Sequence, residues 1–385
     1  PRDQIPGILE DCARLNIKGA ILVPQGFADA DQEGSALQAR LTRTAAQTGI
    51  RVLGPNTLGV VNAFSGFTSS FMPLARTRSP IGIICQSGVF FVGSTVFTGL
   101  VGKGIDVGNA CDVDFAEALE YFEDDEDIKI IFLHIEGLKE GRRFLEIARR
   151  VAVRKPIVAM KAAKSLRGAK FALSHSGSLA GDAKVAEAAL RQAGLIMAQD
   201  TEEILDYTKT LLHLPLMRGN KVGVVTFTGA GGIILIDALD EFGLELAELA
   251  PQTIRTIKDL SPPWMPLQNP LDIWPALMKH GLKHVYRLAL EAMLQDDNVD
   301  GIICIAIAPE YPEQAYLDAT GVIQETVARF PAKPVVAWLY GPNQALLSKQ
   351  IEEDGRIVAL PSLTRAARAL STLYRRSKFL EALKG

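Results

Sequence analysis

The chain has 385 residues, 41 Lys and Arg against 44 Asp and Glu, a net charge of −3 and a hydrophobic fraction of 48%. That balance gives no footing for a nucleic-acid binder, which carries a strong basic surplus, and the length allows two or three domains. No apolar run approaches the roughly 20 residues that cross a bilayer, the opening residues do not read as a signal peptide, and Cys12, Cys85, Cys111 and Cys304 have no paired spacing, so the expectation is a cytoplasmic protein without disulfides or a zinc site.

In chain order, the periodicity predicts a helix over 5–17, a strand over 18–24, a helix over 32–49 and a strand over 51–56 that ends in a turn. Together these make half of an open α/β domain, and a loop rich in Phe, Ser and Pro (62–80) follows as a linker. A second unit starts with a strand over 81–88 and a helix from Val89. It continues through strand 104–109, helix 113–122, strand 128–137, helix 140–153, strand 155–162, a loop, and helices 182–193 and 201–213. A third unit runs from strand 221–229 through a helix from Gly231, a loop at 269–274, helix 281–295, strand 299–309, helix 314–329, strands 333–341 and 356–360, and helix 362–384. Short apolar strands alternating with amphipathic helices predict α/β architecture with doubly wound parallel sheets. The domain divisions expected are 1–75, 78–216 and 219–385.

The second and third units read as an internal repeat. "IGIICQSG" matches "VGVVTFTG", "DDEDIKIIFLHIEG" matches "DDNVDGIICIAIAP", and "KPIVAMKA" matches "KPVVAWLY". Glu136 stands where the sister copy has Ala308, and the loop around His175 stands where it has "QALLSKQIEEDG". A fold that forms without either residue marks both as candidates for chemistry.

The loop "KFALSHSGSLAGD" (170–182) places His175 among Ser174, Ser176, Gly177 and Ser178 just before a helix. Unpaired N–H groups at a helix start favour an anion, Gly177 permits close backbone approach, and the serines offer hydroxyl donors. A phosphorylated histidine fits there; a surface capping loop with an incidental histidine is the alternative. Gln86, Ser87 and Gly88 form a second strand-to-helix turn, at the sheet edge where doubly wound folds bind ligands, although taken alone a plain turn capped by Ser87 is the better reading. Glu136 ends an apolar strand and would orient an imidazole, or simply face water. His134, two residues earlier, is expected to be packed or solvated rather than catalytic. Asn109 sits at a strand end within reach of a ligand, and the acidic run that follows reads as a solvated helix face. "TFTGAGGIILI" lacks the spacing of either nucleotide-binding glycine loop.

As a set, "GPNTLGVVN", "CQSGVFFVG", "VGNACDVDFAEALEYFEDDEDIK", "IEGLKEGRRFLEIARRV", "KPIVAMKAAKS", "GAKFALSHSGSLAGD", "AALRQAGLI" and "NPLDIW" resemble the ADP-forming acyl-CoA synthetases, acetate–CoA ligases of the alpha type, which are relatives of the succinyl-CoA synthetase alpha subunit. The resemblance covers nearly the whole chain. It implies a Rossmann-like CoA-binding remnant followed by two flavodoxin-like ligase domains. It also implies phosphorylation of His175 with Glu136 supporting it, and a phosphate cradle of Gln86, Ser87 and Gly88 on one side and Ser176, Gly177 and Ser178 on the other. Gln25, Gly26, Pro55 and Asn56 resemble segments that line the CoA site. The implied ligands are CoA and a small carboxylic acid; ADP or ATP with Mg would sit on an ATP-grasp subunit or domain outside this sequence, in a homo- or hetero-oligomer. The strand and glycine-rich turn that open the family's CoA-binding domain are also outside it. Phe90 and Phe91, where the family has small residues, point to a different acyl group or a less active member. Two other readings remain at this stage: an acyl-CoA-sensing regulatory domain of the kind fused to protein lysine acetyltransferases, and a CoA-binding paralogue without turnover.

Overall fold

In a computed structural model, which describes residues 1–71, 77–163, 165, 167–168, 183–258, 262–265 and 268–384, the alternating pattern folds into parallel sheets covered by helices. The chain divides into two compact units, Pro1–Thr208 and Lys209–Gly385.

The first unit opens with α1 (Ile5–Arg14), β1 (Gly19–Ile21), α2 (Gln32–Thr48) and β2 (Arg51–Leu53). β1 and β2 pair in parallel, Gly19 opposite Arg51, over a small core of Leu9, Phe27, Leu41, Ile50 and Val52. The Asp31 side chain accepts from Gly34 N and starts α2, and Gly49 at φ +74° ends it in the left-handed conformation that glycine tolerates.

A larger sheet follows, with β3 (Val60–Asn62), β4 (Phe67–Thr68), β5 (Ile81–Cys85), β6 (Lys103–Asp106), β7 (Ile130–Ile135), β8 (Ile157–Lys161) and β9 (Ile196–Ala198) in the order β4-β3-β6-β5-β7-β8-β9. The stretch expected as a linker begins at the last residue of β3 and carries one strand, β4: β3 runs antiparallel to β6, and β4 antiparallel to β3 at the sheet edge. A two-residue edge strand is too short to show a period, which is why the Phe, Ser and Pro content dominated the sequence reading. β5 and β7 are buried along their whole length, as strands covered on both faces are. The helix expected from Val89 is α3 (Gly88–Val92), broken at Gly93 and resumed as α4 (Ser94–Thr98). Its Val-Phe-Phe-Val run has weak helix preference, so one turn forms and stops. α5 (Phe115–Glu123), α6 (Gly141–Arg154), α7 (Ala183–Gln192) and α8 (Thr201–His213) follow, α8 running across the division between the units. The expected acidic helix face on α5 is instead latticed with arginines, Arg150 binding Glu120 and Glu123 and Arg51 binding Asp112 and Glu117.

The second unit repeats the plan with β10 (Lys221–Thr226), α9 (Gly229–Glu241), β11 (Glu245–Leu246), α10 (Pro251–Ile257), β12 (Leu271–Asp272), α11 (Trp274–His280), α12 (Leu282–Gln295), β13 (Gly301–Ile307), α13 (Thr320–Arg329), β14 (Val335–Tyr340), α14 (Gln344–Ile351), β15 (Ile357–Ala359) and α15 (Leu363–Glu381). Its sheet is β11-β10-β13-β14-β15, with β12 also on β10. The segment expected as a loop at 269–274 contributes β12, and the front of the helix expected over 314–329 is a separate 3-10 turn, Pro312–Leu317. Asn269 sets β12: its Oδ1 accepts from Val224 N at 2.9 Å while its Nδ2 donates to Val222 O and Ala247 O.

In the first unit the chain runs from β5 to its neighbour β6 on one side, then from β7 onwards on the other. The gap between the C-terminal ends of β5 and β7 is thus a topological switch point, the crevice where open α/β sheets bind ligands.

Candidate active site

Gln86, the first residue beyond β5, reaches across the switch point. Its Oε1 accepts from Glu136 N at 2.8 Å and Gly137 N at 3.0 Å, both just beyond the end of β7. The carbonyl end of the amide is thereby committed, while the Nε2 end has no hydrogen-bond partner among the described residues. Ser87 is the N-cap of α3, and its carbonyl accepts from Phe90 N and Phe91 N. Gly88 begins the helix, with the Leu58 side chain 3.0 Å from where a Cβ would stand. Of the three residues predicted as one half of a phosphate cradle, Gln86 is bonded to the backbone of Glu136, and Ser87 and Gly88 follow it into the start of α3. His175, Ser176, Gly177 and Ser178, the other half, lie outside the described residues.

Glu136 is held at its backbone from two sides. Besides the bond to Gln86, its carbonyl accepts from Lys161 Nζ at 2.7 Å, and the same ammonium donates to Ala162 O at 2.7 Å. Lys161 ends β8 and is 8% exposed. His134 is 3% exposed and lies flat against the Phe90 ring, with centroids 3.8 Å apart and 13° between planes. Burial, assisted by the Lys161 charge, pushes His134 down to about 4. It is a neutral packed histidine, as the sequence suggested, and its Nδ1 has no partner among the described residues.

The predicted CoA-side residues also come together. Gly54–Pro55 is a cis peptide, and Asn56 has φ +60°. Asn56 N donates to Pro24 O at 2.9 Å, which joins the turn after β2 to the segment after β1 that contains Gln25 and Gly26. Gln25 is exposed, while Gly26, at φ +98°, donates to Asp29 Oδ2 at 3.0 Å. Asn109, expected to reach a ligand, is instead spent on this scaffold: Nδ2 donates to Asp29 Oδ1 at 2.7 Å and Gln38 Oε1 at 3.0 Å, and its N–H to Pro55 O at 2.9 Å.

Sequence reasoning passed over Asp106 and Lys161. Both end apolar strands with a charged residue, the same signal that singled out Glu136, and that signal was available in "GID" and "KPIVAMK". Burial pushes the Asp106 carboxyl up to about 6, against hydrogen bonds from Leu58 N and Gly108 N, and the Glu136 charge adds to the rise. Fully buried Cys85, ending the strand between Asp106 and Glu136, has its thiol pushed well up by burial and by Asp106.

Comparison with known proteins follows this geometry. Residues 78–211 match the succinyl-CoA ligase like flavodoxin domain and residues 222–382 the ligase-CoA domain. Over 98% of its length the chain is 33% identical to the alpha subunit of acetate–CoA ligase [ADP-forming] II of Pyrococcus furiosus, covering 82% of that subunit. The chain belongs to the ADP-forming acetate–CoA ligases. It is of their alpha-subunit type: the alpha subunit of Pyrococcus isoenzyme I is 34% identical with the same coverage. The longer Archaeoglobus fulgidus acetate–CoA ligase [ADP-forming] II is 36% identical over 79% of this chain and 46% of its own length. The solved acetyl-coenzyme A synthetase 1 of Ca. Korarchaeum cryptofilum, in complex with phosphate and ADP, aligns over 100% of this chain and 83% of its own with a TM-score of 0.88 and 29% identity. Among the described residues no helix is long and apolar enough to cross a membrane.

Proposed function

We propose that this chain works with an ATP-grasp subunit or domain to interconvert acyl-CoA, phosphate and ADP with a carboxylate, CoA and ATP. Phosphate oxygen attacks the thioester carbonyl and displaces the CoA thiolate, giving an acyl phosphate. An imidazole nitrogen of His175 then attacks phosphorus, and the P–O bond to the acyl group breaks to release the carboxylate. The terminal phosphate oxygen of ADP, carried with Mg on the ATP-grasp part, takes the phosphoryl group and frees the imidazole. Neutral imidazole is a good nucleophile near pH 7, and a neighbouring carboxylate orients it; Glu136 takes that role, with Gln86, Ser87, Gly88, Ser176, Gly177 and Ser178 around the phosphate and Gln25, Gly26, Pro55 and Asn56 toward CoA.

The observation that carries this reading is the Gln86 bridge, which holds the backbone of Glu136 and Gly137 at the switch point. Membership among ligases whose Pyrococcus members are named as alpha subunits supports the need for a second component in a hetero-oligomer. The test is ATP formation from ADP, phosphate and a panel of acyl-CoA thioesters by the chain mixed with its ATP-grasp partner. Formation with at least one thioester, abolished by His175→Ala, is expected. No ATP from any thioester, or ATP that survives His175→Ala, would reject the proposal.

A further inference from the structure

Asp106 closes β6 and is 1% exposed. Its carboxylate accepts from two backbone groups, Leu58 N at 2.7 Å on Oδ2 and Gly108 N at 3.2 Å on Oδ1. Its main chain is held by the same facing segment: the Thr57 hydroxyl donates to its carbonyl, and its N–H donates to Gly59 O at 2.9 Å. One sheet residue thus meets Thr57, Leu58 and Gly59 together.

The turn just before those residues is sealed against the segment just after Asp106. Asn109 N donates to Pro55 O and Cys111 N to Gly54 O, each at 2.9 Å. Gly108 has φ +52°, and a Cβ there would meet Pro55 O and lie 2.5 Å from Asn56 O. The two backbones are in direct apposition, and Asp106 pins both of them.

A carboxylate suits this place because it offers two acceptor oxygens and no donor when ionised. An amide would turn N–H₂ toward one of the two N–H groups, and a hydroxyl could meet only one. Burial and the charge of Glu136 at the end of β7 raise this carboxyl to about 6, so above pH 7 it is ionised and both oxygens accept. A buried carboxylate that meets two backbone N–H groups matters through those hydrogen bonds.

We propose that Asp106 is a positioning residue for the CoA side of the reaction: it fixes the Gly54–Leu58 turn against the end of the ligase sheet. It touches no reacting atom and acts through Pro55 and Asn56. The proposal rests on the reading of those two residues as CoA contacts.

The test uses the full chain with its ATP-grasp partner, as wild type, Asp106→Asn and Asp106→Ser. Three quantities are read above pH 7: amide exchange protection at Leu58 and Gly108, KM for CoA, and the CoA-independent rate of chain phosphorylation by ATP. Both variants are expected to lose tenfold or more protection at one or both amides and to raise KM for CoA about tenfold, the scale of one lost charge-assisted hydrogen bond. Phosphorylation should stay within about twofold of wild type, a split that general loosening would not give. Unprotected Leu58 and Gly108 amides in the wild type, or full protection in both variants, would overturn the role of Asp106. An equal fall in phosphorylation and CoA use would also overturn it, as damage to the fold as a whole. Lost protection with an unchanged KM would overturn the assignment of Pro55 and Asn56 to CoA.

Discussion

Gln86→Ala isolates the bridge on which the proposed site depends. The substitution removes one oxygen and leaves Glu136 N and Gly137 N, at 2.8 and 3.0 Å in the native protein, without their acceptor. Each such bond contributes about 1 kcal/mol net. Glu136 and Gly137 are only partly buried, so water replaces part of the loss. The expected destabilisation is therefore about 1–2 kcal/mol, read as a lower urea midpoint with an unchanged slope. The larger effect falls on chemistry, because the Glu136 backbone loses the anchor that Gln86 supplies; phosphorylation should slow at least tenfold. Gln86→Glu separates the two roles. A carboxylate can still accept from both N–H groups, so stability should stay within about 0.5 kcal/mol. It also replaces a donor by a negative charge where phosphate is expected, and phosphorylation should slow as in the alanine variant. If Gln86→Ala phosphorylates at the wild-type rate, the bridge does not organise the site. If Gln86→Glu does so, no phosphate group approaches Nε2.

Two further predictions follow from groups near the same strand ends. Asp106 is raised from 3.8 to about 6, so the native state binds its proton more tightly than the unfolded chain does; its contribution is complete below about pH 4 and is lost as pH rises through about 6. His134 is lowered from 6.5 to about 4, so its contribution is present above about pH 6.5 and is lost as pH falls through about 4. Each shift corresponds to about 3 kcal/mol, and over that window they nearly cancel. His134→Phe should therefore expose a fall in stability from pH 4 to 6, and Asp106→Asn a rise, each relative to wild type in urea titrations; parallel profiles for all three proteins would refute the assignment. Gly108→Ala forces a Cβ against Pro55 O and Asn56 O at φ +52°, both of them backbone atoms that cannot rotate away. A loss of about 2–4 kcal/mol is expected, with CoA binding weakened; a neutral substitution would show that the two segments are not in contact.

Much of this was legible because strand ends announce themselves. The apolar runs over 81–85 and 130–135 are long enough to stand out as buried strands, and Gln86 and Glu136 follow directly from where those strands stop. The comparison of the two repeats isolated Glu136 for the same reason. Short elements were harder. β3, β4, β11 and β12 have two or three residues each, too few for any periodic signal, and their pairing comes from tertiary contacts such as the Asn269 side chain. Residue roles that depend on register were hidden as well. That the Gln86 carbonyl faces Glu136 N, that Asp106 faces Leu58, and that Asn109 serves the scaffold rather than a ligand all follow from which strands lie side by side. Phe90, singled out as a departure from small residues, proves to cover His134, a pairing that no spacing rule connects.

The most direct test of the account is the phosphoryl group itself. The chain is incubated with its ATP-grasp partner and ATP labelled on the γ-phosphate, and protein-bound label is assayed for acid lability and base stability, then mapped. The account predicts one acid-labile, base-stable phosphate on His175, absent in His175→Ala and formed more slowly in Glu136→Gln. Label that persists in His175→Ala, or a wild-type chain that takes up none, would contradict it.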